Sequence, residues 1–143
     1  MWFDDQAEEA AQHYVAAFKN SKIDHVTRQG AKAFVVNFTL DGLQYVALNG
    51  GPMFKPTEAF SLAVTCDDQS EVDRLWEHLL QGGGVPSRCG WLKDRWGYSW
   101  QIVPERFFEL MQSPDSAVGG RVMQAMMQMT KFDIAKLEVA AKG

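Results

Sequence analysis

The chain has 143 residues, of which 46% are hydrophobic and 12% aromatic, and its formal net charge is −4. This length is enough for one domain with a hydrophobic core, and the composition excludes intrinsic disorder. Acidic and basic residues are interspersed without a Lys/Arg-rich run, so we expect neither nucleic acid nor a membrane surface as a partner. No apolar run approaches the roughly 20 residues that cross a bilayer.

The N-terminal sequence and the two cysteines indicate the cellular compartment of the protein. The N-terminal sequence "MWFDDQAEEA" is acidic almost at once, unlike the basic start of a secretory signal. Without an export signal, we expect the thiols of Cys66 and Cys89 to be reduced rather than paired. The sequence therefore predicts a cytoplasmic protein.

The first half of the chain predicts a helix followed by strands. The segment "DDQAEEAAQHYVAAFKN" is typical of an amphipathic helix, with Asp4 or Asp5 as its N-terminal cap. Its apolar residues recur at helical spacing: Ala7, Ala10, Ala11, Tyr14, Val15 and Phe18. A short strand is predicted over 23–28. The segments "AFVVNFTL" and "LQYVALN" then form a hairpin, because Asp41 and Gly42 tolerate the positive φ of a type I′ turn.

The same order follows a Gly/Pro-rich connector, "NGGPMFKP". The segment "AFSLAVTC" predicts a strand, and "DDQSEVDRLWEHLLQGG" predicts a helix with Gly82 as its C-terminal cap. After the link "GVPSR", the segment "GWLKDRWGYSWQIVP" predicts a hairpin whose turn, Asp94–Gly97, ends on a glycine. From Glu105 the chain is predicted to be helical, as "ERFFELMQ" and "RVMQAMMQMTKFDIAKLEVAAK" with the break "SPDSAVGG" between them.

The repeated order of elements indicates two related modules within a single α+β domain spanning residues 1–143. Module one covers about residues 1–52, module two about 58–104, and a helical tail 105–143. We expect the strands to form a curved mixed sheet with the helices on its outer side.

The alternation of side chains along the strands predicts a pocket on the sheet face opposite the helices. In module one, Phe34, Phe38 and Tyr45 share one face of the hairpin, and we expect that face to be the open one. In module two, Ser61 and Gln101 fall in the polar phase of their strands. An aromatic floor with a few polar groups is typical of small-molecule pockets. The candidate ligand-binding residues are Phe34, Phe38, Tyr45, Asn49, Ser61, Trp91 and Gln101.

Several segments resemble a known family. The stretches "WFDDQAEEA", "FKNSKI", "ALNGGP", "CGWLKDRWG", "SWQIVP" and "RVMQAMMQM" are together similar to the PhnB-like branch of the vicinal oxygen chelate superfamily. This is the glyoxalase/bleomycin resistance/dioxygenase superfamily, and proteins of the branch are often labelled 3-demethylubiquinone-9 3-methyltransferase domains. The resemblance covers essentially the whole chain and implies βαβββ-type modules, as in glyoxalases, and a homodimer. Relatives carry several more residues before "WFD", so the first strand, at Trp2, is expected to be abbreviated or supplied differently.

The resemblance also indicates where a metal would be bound. Metal-dependent members hold a divalent cation through His and Glu side chains at four strand positions. In this chain those positions lie near Trp2 and at Asn49, Ser61 and Gln101, the last of them four residues after the glycine of the turn. Neutral amide and hydroxyl oxygens hold transition metals weakly. We therefore expect no tightly bound metal, and no other cofactor.

The sequence also lacks the features expected of a methyltransferase. Methyl transfer from S-adenosylmethionine usually uses a doubly wound fold with a glycine-rich turn after the first strand. The run Gly82–Gly84 follows a predicted helix instead, so we do not expect methyltransferase activity.

Three functions remain at this point. The favoured one is a metal-free protein that binds a hydrophobic or aromatic small molecule, as bleomycin-binding relatives do. The alternative is a lyase, transferase or dioxygenase-like enzyme that acts on a small oxygenated metabolite with a weakly held divalent metal. The second alternative is a dimeric scaffold that uses the sheet face as an interface.

Overall fold

The predicted repeat of strands and helices is present in the computed structural model, which describes all residues from 1 to 143. The chain divides into two units, Met1–Thr57 and Glu58–Gly143. Each unit contains one sheet of four strands, with one parallel pair and two antiparallel pairs.

The first unit has one helix and four strands. In chain order these are β1 (Trp2–Phe3), α1 (Ala7–Ala17), β2 (Lys22–Gln29), β3 (Lys32–Leu40) and β4 (Leu43–Asn49). The strand order in the sheet is β1-β4-β3-β2, with β1 parallel to β4. The first strand is therefore only two residues long and pairs within its own unit.

The β3–β4 hairpin has the predicted turn. Asp41 and Gly42 have φ values of 45° and 80°, as a type I′ turn requires. Leu40 is consequently paired with Leu43, and Phe38 with Tyr45.

Helix α1 packs its small side chains and one aromatic ring on this sheet. Its buried residues are Ala7, Ala10, Ala11, Tyr14 and Ala17. The expected capping by Asp4 or Asp5 is wrong, because Gln6 occupies the N-cap position and makes no side-chain cap bond. The amide of Ala7 donates instead to Oδ1 of Asn49, over 2.8 Å, from the end of β4.

The second unit has four strands and four helices. They are β5 (Ser61–Cys66), α2 (Gln69–Leu80), β6 (Val85–Pro86), β7 (Trp91–Lys93), β8 (Ser99–Pro104), α3 (Glu105–Met111), α4 (Ser116–Met127) and α5 (Ile134–Lys142). The strand order is β5-β8-β7-β6, with β5 parallel to β8. None of the helices in the chain is both long and apolar enough to cross a membrane.

The core of this unit follows the predicted phases. The buried residues of the apolar phase of the sheet and of α2 are Leu62, Cys66, Leu92, Trp100, Ile102, Val72, Leu75, Trp76 and Leu79. Ser99 and Val103, in the other phase of β8, are buried as well. Oδ1 of Asp68 caps α2 by accepting the amide of Glu71 over 2.8 Å. At its other end the C-cap is Gln81 rather than the predicted Gly82, which follows with a φ of 75°.

The C-terminal tail has two helices, α4 and α5, where the sequence predicted one long helix after the break. The chain leaves the helical conformation between α4 and α5, because Gln69 at the start of α2 binds this linker. Its Nε2 donates to the carbonyl of Phe132 over 3.0 Å, and its Oε1 accepts the amide of Ile134 over 2.9 Å. The amides of Cys89 and Gly90 also donate to the carbonyls of residues 129 and 130, each over 2.8 Å.

Candidate functional site

Three of the sequence-predicted site residues lie together on the second sheet. Parallel pairing of β5 with β8 sets Ser61 beside Ser99 and Ala63 beside Gln101, while β7 sets Trp91 opposite Gln101. Nε2 of Gln101 donates to Oγ of Ser61 over 2.8 Å. Because side chains alternate along a strand, these groups lie on the face opposite Trp100 and α2.

Two further residues complete this surface, which we call the polar face. It comprises Ser61, Trp91, Lys93, Ser99 and Gln101. Lys93 is paired with Ser99 across the strands and forms an ion pair with Glu58. The hydrogen bond with Lys93 holds the pKa of the Glu58 carboxyl below its usual value. The hydroxyl of Ser99 is buried and has no hydrogen-bond partner in the chain.

The predicted open face of module one requires a correction. Phe38 is fully buried, its ring centroid is 6.4 Å from that of Tyr14 in α1, and Tyr45 stacks on it at 5.5 Å. Phe34, Phe38 and Tyr45 therefore share a face, as expected, but α1 covers that face at Phe38, and only Phe34 at its end is exposed. Phe38 is a core residue because α1 excludes solvent from its ring.

The face of the first sheet that points away from α1 carries five residues of mixed polarity. These residues are Val35, Asn37, Thr39, Val46 and Leu48. The signal of this polarity was present in the sequence, since Asn37 and Thr39 are polar while Phe34, Val36, Phe38 and Leu40, in the other phase of β3, are apolar.

Asn49 also has a structural role that differs from the predicted one. Its oxygen accepts the amide of Ala7, and its Nδ2 donates to the carbonyl of Ala33 over 3.0 Å. Both ends of the amide are thus used to fix the start of α1 on the sheet.

A cleft of about 450 Å³ lies in the first unit beside Asn49 and Phe34. Arg28 of β2 crosses one side of it with two hydrogen bonds to Glu8, over 2.7 and 3.1 Å. The carboxylates of Asp4 and Asp5 also line it. The sequence did not indicate this cleft, because the pairing of Arg28 with Glu8 depends on how α1 packs against β2.

The chemistry of the donors does not fit a tightly held divalent metal. Gln101 and Ser61 are neutral and bonded to each other, and the oxygen of Asn49 is used by a backbone amide. No three His, Cys, Asp or Glu side chains of the chain are grouped as metal ligands. A divalent transition metal needs charged oxygens, thiolates or imidazoles for tight binding.

The two thiols differ in their surroundings. Cys66 is buried at the end of β5, and burial raises the pKa of its thiol to about 12. It is therefore protonated at neutral pH and is a packing residue rather than a nucleophile. Cys89 is half-buried and has a φ of 57° just before β7.

Residues 1–103 match the model of the family described as 3-demethylubiquinone-9 3-methyltransferase. Helices α3 to α5 thus follow the matched segment. No curated protein matches the chain.

Several solved structures are similar to the chain. The PhnB protein of Bacillus cereus is 28% identical with a TM-score of 0.68, and the match covers 73% of this chain and 95% of that one. A glyoxalase-related enzyme from Fulvimarina pelagi is 18% identical with a TM-score of 0.50, covering 73% and 85%. A glyoxalase/bleomycin resistance protein from Albidiferax ferrireducens is 14% identical with a TM-score of 0.50, covering 73% and 94%. The last two show a shared fold.

Proposed function

This chain belongs to the 3-demethylubiquinone-9 3-methyltransferase family, the PhnB-like branch of the vicinal oxygen chelate superfamily, and we propose that it is a metal-free small-molecule-binding protein. The proposed ligand site is the polar face of the second sheet, with Ser61, Trp91 and Gln101 in contact with the ligand. The glyoxalase-like fold is common to proteins with different activities, so the proposal depends on the residues of this face.

The hydrogen-bonded pair of Gln101 and Ser61 beside Trp91 is the observation that carries the proposal. The bond uses Nε2 of Gln101 and leaves its Oε1 available to accept a donor from a ligand. The hydroxyl hydrogen of Ser61 can likewise be donated. An aromatic ring next to a few such groups binds a small molecule by apolar contact and orients it by hydrogen bonds.

Methyl transfer is not part of the proposal. Gly82, Gly83 and Gly84 follow α2, and a Cβ at Gly84 would lie 2.7 Å from Cα of Leu80. This run is therefore a tight turn that ends a helix. It does not follow a strand, where the glycine-rich turn of a dinucleotide-type cofactor site would be found.

The test compares ligand binding by protein treated with EDTA and by protein supplied with Zn²⁺ or Mn²⁺. We expect a ligand found by screening aromatic metabolites to bind equally well in both. Gln101→Ala should weaken binding about fivefold, since one lost hydrogen bond costs about 1 kcal/mol. The matched control is Gln81→Ala, at an exposed position after α2. Stoichiometric metal that is needed for binding, or that supports turnover of the ligand, would favour the enzyme alternative instead.

We further propose that the protein forms a homodimer. Strand β2 supports this, because it is eight residues long, lies at one edge of its sheet and is exposed at most positions. Such an edge has backbone groups available for pairing with a second copy. Sedimentation equilibrium at micromolar concentration should give about twice the mass of the 16.1 kDa chain. A single species of monomer mass would contradict this proposal and leave ligand binding unaffected.

A further inference from the structure

The hydroxyl oxygen of Ser99 is the one buried side-chain polar atom of the second sheet that has no hydrogen-bond partner. Its residue is 2% exposed, and Oγ has no partner in the chain. Buried hydroxyl groups in folded proteins almost always have a partner, because a buried group without one costs free energy. A group of this kind points to a molecule that supplies the missing bond.

The position of Ser99 places this hydroxyl on the polar face. Ser99 is two residues before Gln101 on β8, so their side chains lie on the same side of the strand. It is paired with Ser61 on β5 and with Lys93 on β7. Three neutral groups are therefore adjacent and have bonding capacity left: Oγ of Ser99, the hydroxyl hydrogen of Ser61 and Oε1 of Gln101.

The scarcity of charged residues in the second sheet favours an uncharged ligand. Among the residues of β5, β6, β7 and β8, only Lys93 is charged. Glu58 already neutralises it through their ion pair. An ionised group that leaves water for this face would find no opposite charge to offset its desolvation.

We propose that the ligand of the polar face is an uncharged planar molecule that carries a hydroxyl or amide group at one edge, which Ser99 and Gln101 hydrogen-bond while Trp91 contacts its plane. This inference depends on the proposed function, since it names the class of molecule that the same site binds. It also adds Ser99 to the residues that contact the ligand.

Stability measurements test the role of Ser99 without a ligand. Because its hydroxyl has no partner, Ser99→Ala should leave the melting temperature unchanged or raise it by up to ~3 °C. The comparison variant Ser61→Ala breaks the bond to Gln101 and should lower it by a similar amount. A clear fall in melting temperature for Ser99→Ala would show that the hydroxyl is satisfied within the protein, and would overturn the inference.

Three probes of equal ring size test the charge of the ligand: benzamide, benzoate and benzylamine. Binding is followed by ligand-observed NMR on the full chain, with Trp91→Ala to locate the site. We expect benzamide to bind with a dissociation constant in the millimolar range, about tenfold more tightly than either ion. Ser99→Ala should weaken benzamide binding about tenfold, in contrast to its neutral effect on stability.

The outcomes separate this inference from the proposed function. Tighter binding of benzoate or benzylamine that Trp91→Ala abolishes would overturn the inference and leave the proposed site in place. An unchanged dissociation constant for benzamide in Ser99→Ala would do the same. If no probe binds at about 10 mM, a concentration at which small ligands of an aromatic site are detected, the proposed site itself fails.

Discussion

The Asp94→Ala variant is expected to lose about 4 kcal/mol of unfolding free energy. Asp94 is 3% exposed, and its Oδ1 accepts the amides of Trp96 and Tyr98 over 2.9 and 3.0 Å. Its Oδ2 accepts the indole Nε1 of Trp100 over 2.8 Å. Alanine would leave these three donors without the carboxylate, in a region that excludes water. Urea-induced unfolding, followed by tryptophan fluorescence, measures the loss.

Two further variants test whether the loss of stability comes from the buried carboxylate of Asp94. Asp115→Ala removes an exposed carboxylate that accepts one amide, that of Ala117, and should cost only about 1 kcal/mol. Asp94→Asn keeps an oxygen for the two amides but directs an NH₂ group at the indole of Trp100, so we expect a loss of about 2 kcal/mol. Equal losses in Asp94→Ala and Asp115→Ala would contradict a central role for the buried carboxylate.

The Gly90→Ala variant is expected to lose at least about 3 kcal/mol. Gly90 has a φ of 80°, and a Cβ there would lie 2.5 Å from Cε2 of Phe132 and 2.9 Å from the carbonyl oxygen of Ile102. Both the backbone conformation and the close approach of the ring therefore require glycine. Urea unfolding gives the total loss, and limited proteolysis between α4 and α5 reports whether Phe132 has left its place.

The chain supplies a matched control for the backbone part of this effect. Gly51 has the same φ of 80°, but nothing lies within 4 Å of a Cβ at that position. Gly51→Ala should therefore cost only the strain of a non-glycine residue in the left-handed region, about 1 kcal/mol. Equal destabilisation of the two variants would show that the close approach of Phe132 to Gly90 does not contribute to stability.

Features that depend on neighbouring residues were predicted well from the sequence. The Asp41–Gly42 turn, the Asp94–Gly97 turn and the two amphipathic helices all follow from local chemistry. The order of these elements was sufficient to predict the two modules. The alternation along β5 and β8 also predicted correctly that Ser61 and Gln101 lie on the same face of their sheet.

Features that depend on distant residues could not be predicted in this way. Asn49 acts at the start of α1, 42 residues away, and Gln69 ends the helical run of the tail through residues more than 60 positions away. The face of β3 was assigned wrongly although the information was local. The aromatic rings of Phe34 and Phe38 suggested a ligand floor, but Asn37 and Thr39 mark the opposite phase as the more polar one.

The two hydrogen bonds from residues 89 and 90 to the tail have a thermodynamic consequence for the proposed site. Gly90 immediately precedes Trp91, so the docked linker holds the backbone from which this tryptophan extends. A molecule that binds better when Trp91 is held in place must, by linkage, also make the tail harder to detach. Hydrogen exchange at the amides of Cys89 and Gly90 would then slow when a ligand is bound. The exchange rates of these two amides would therefore report ligand binding although the amides do not contact the ligand.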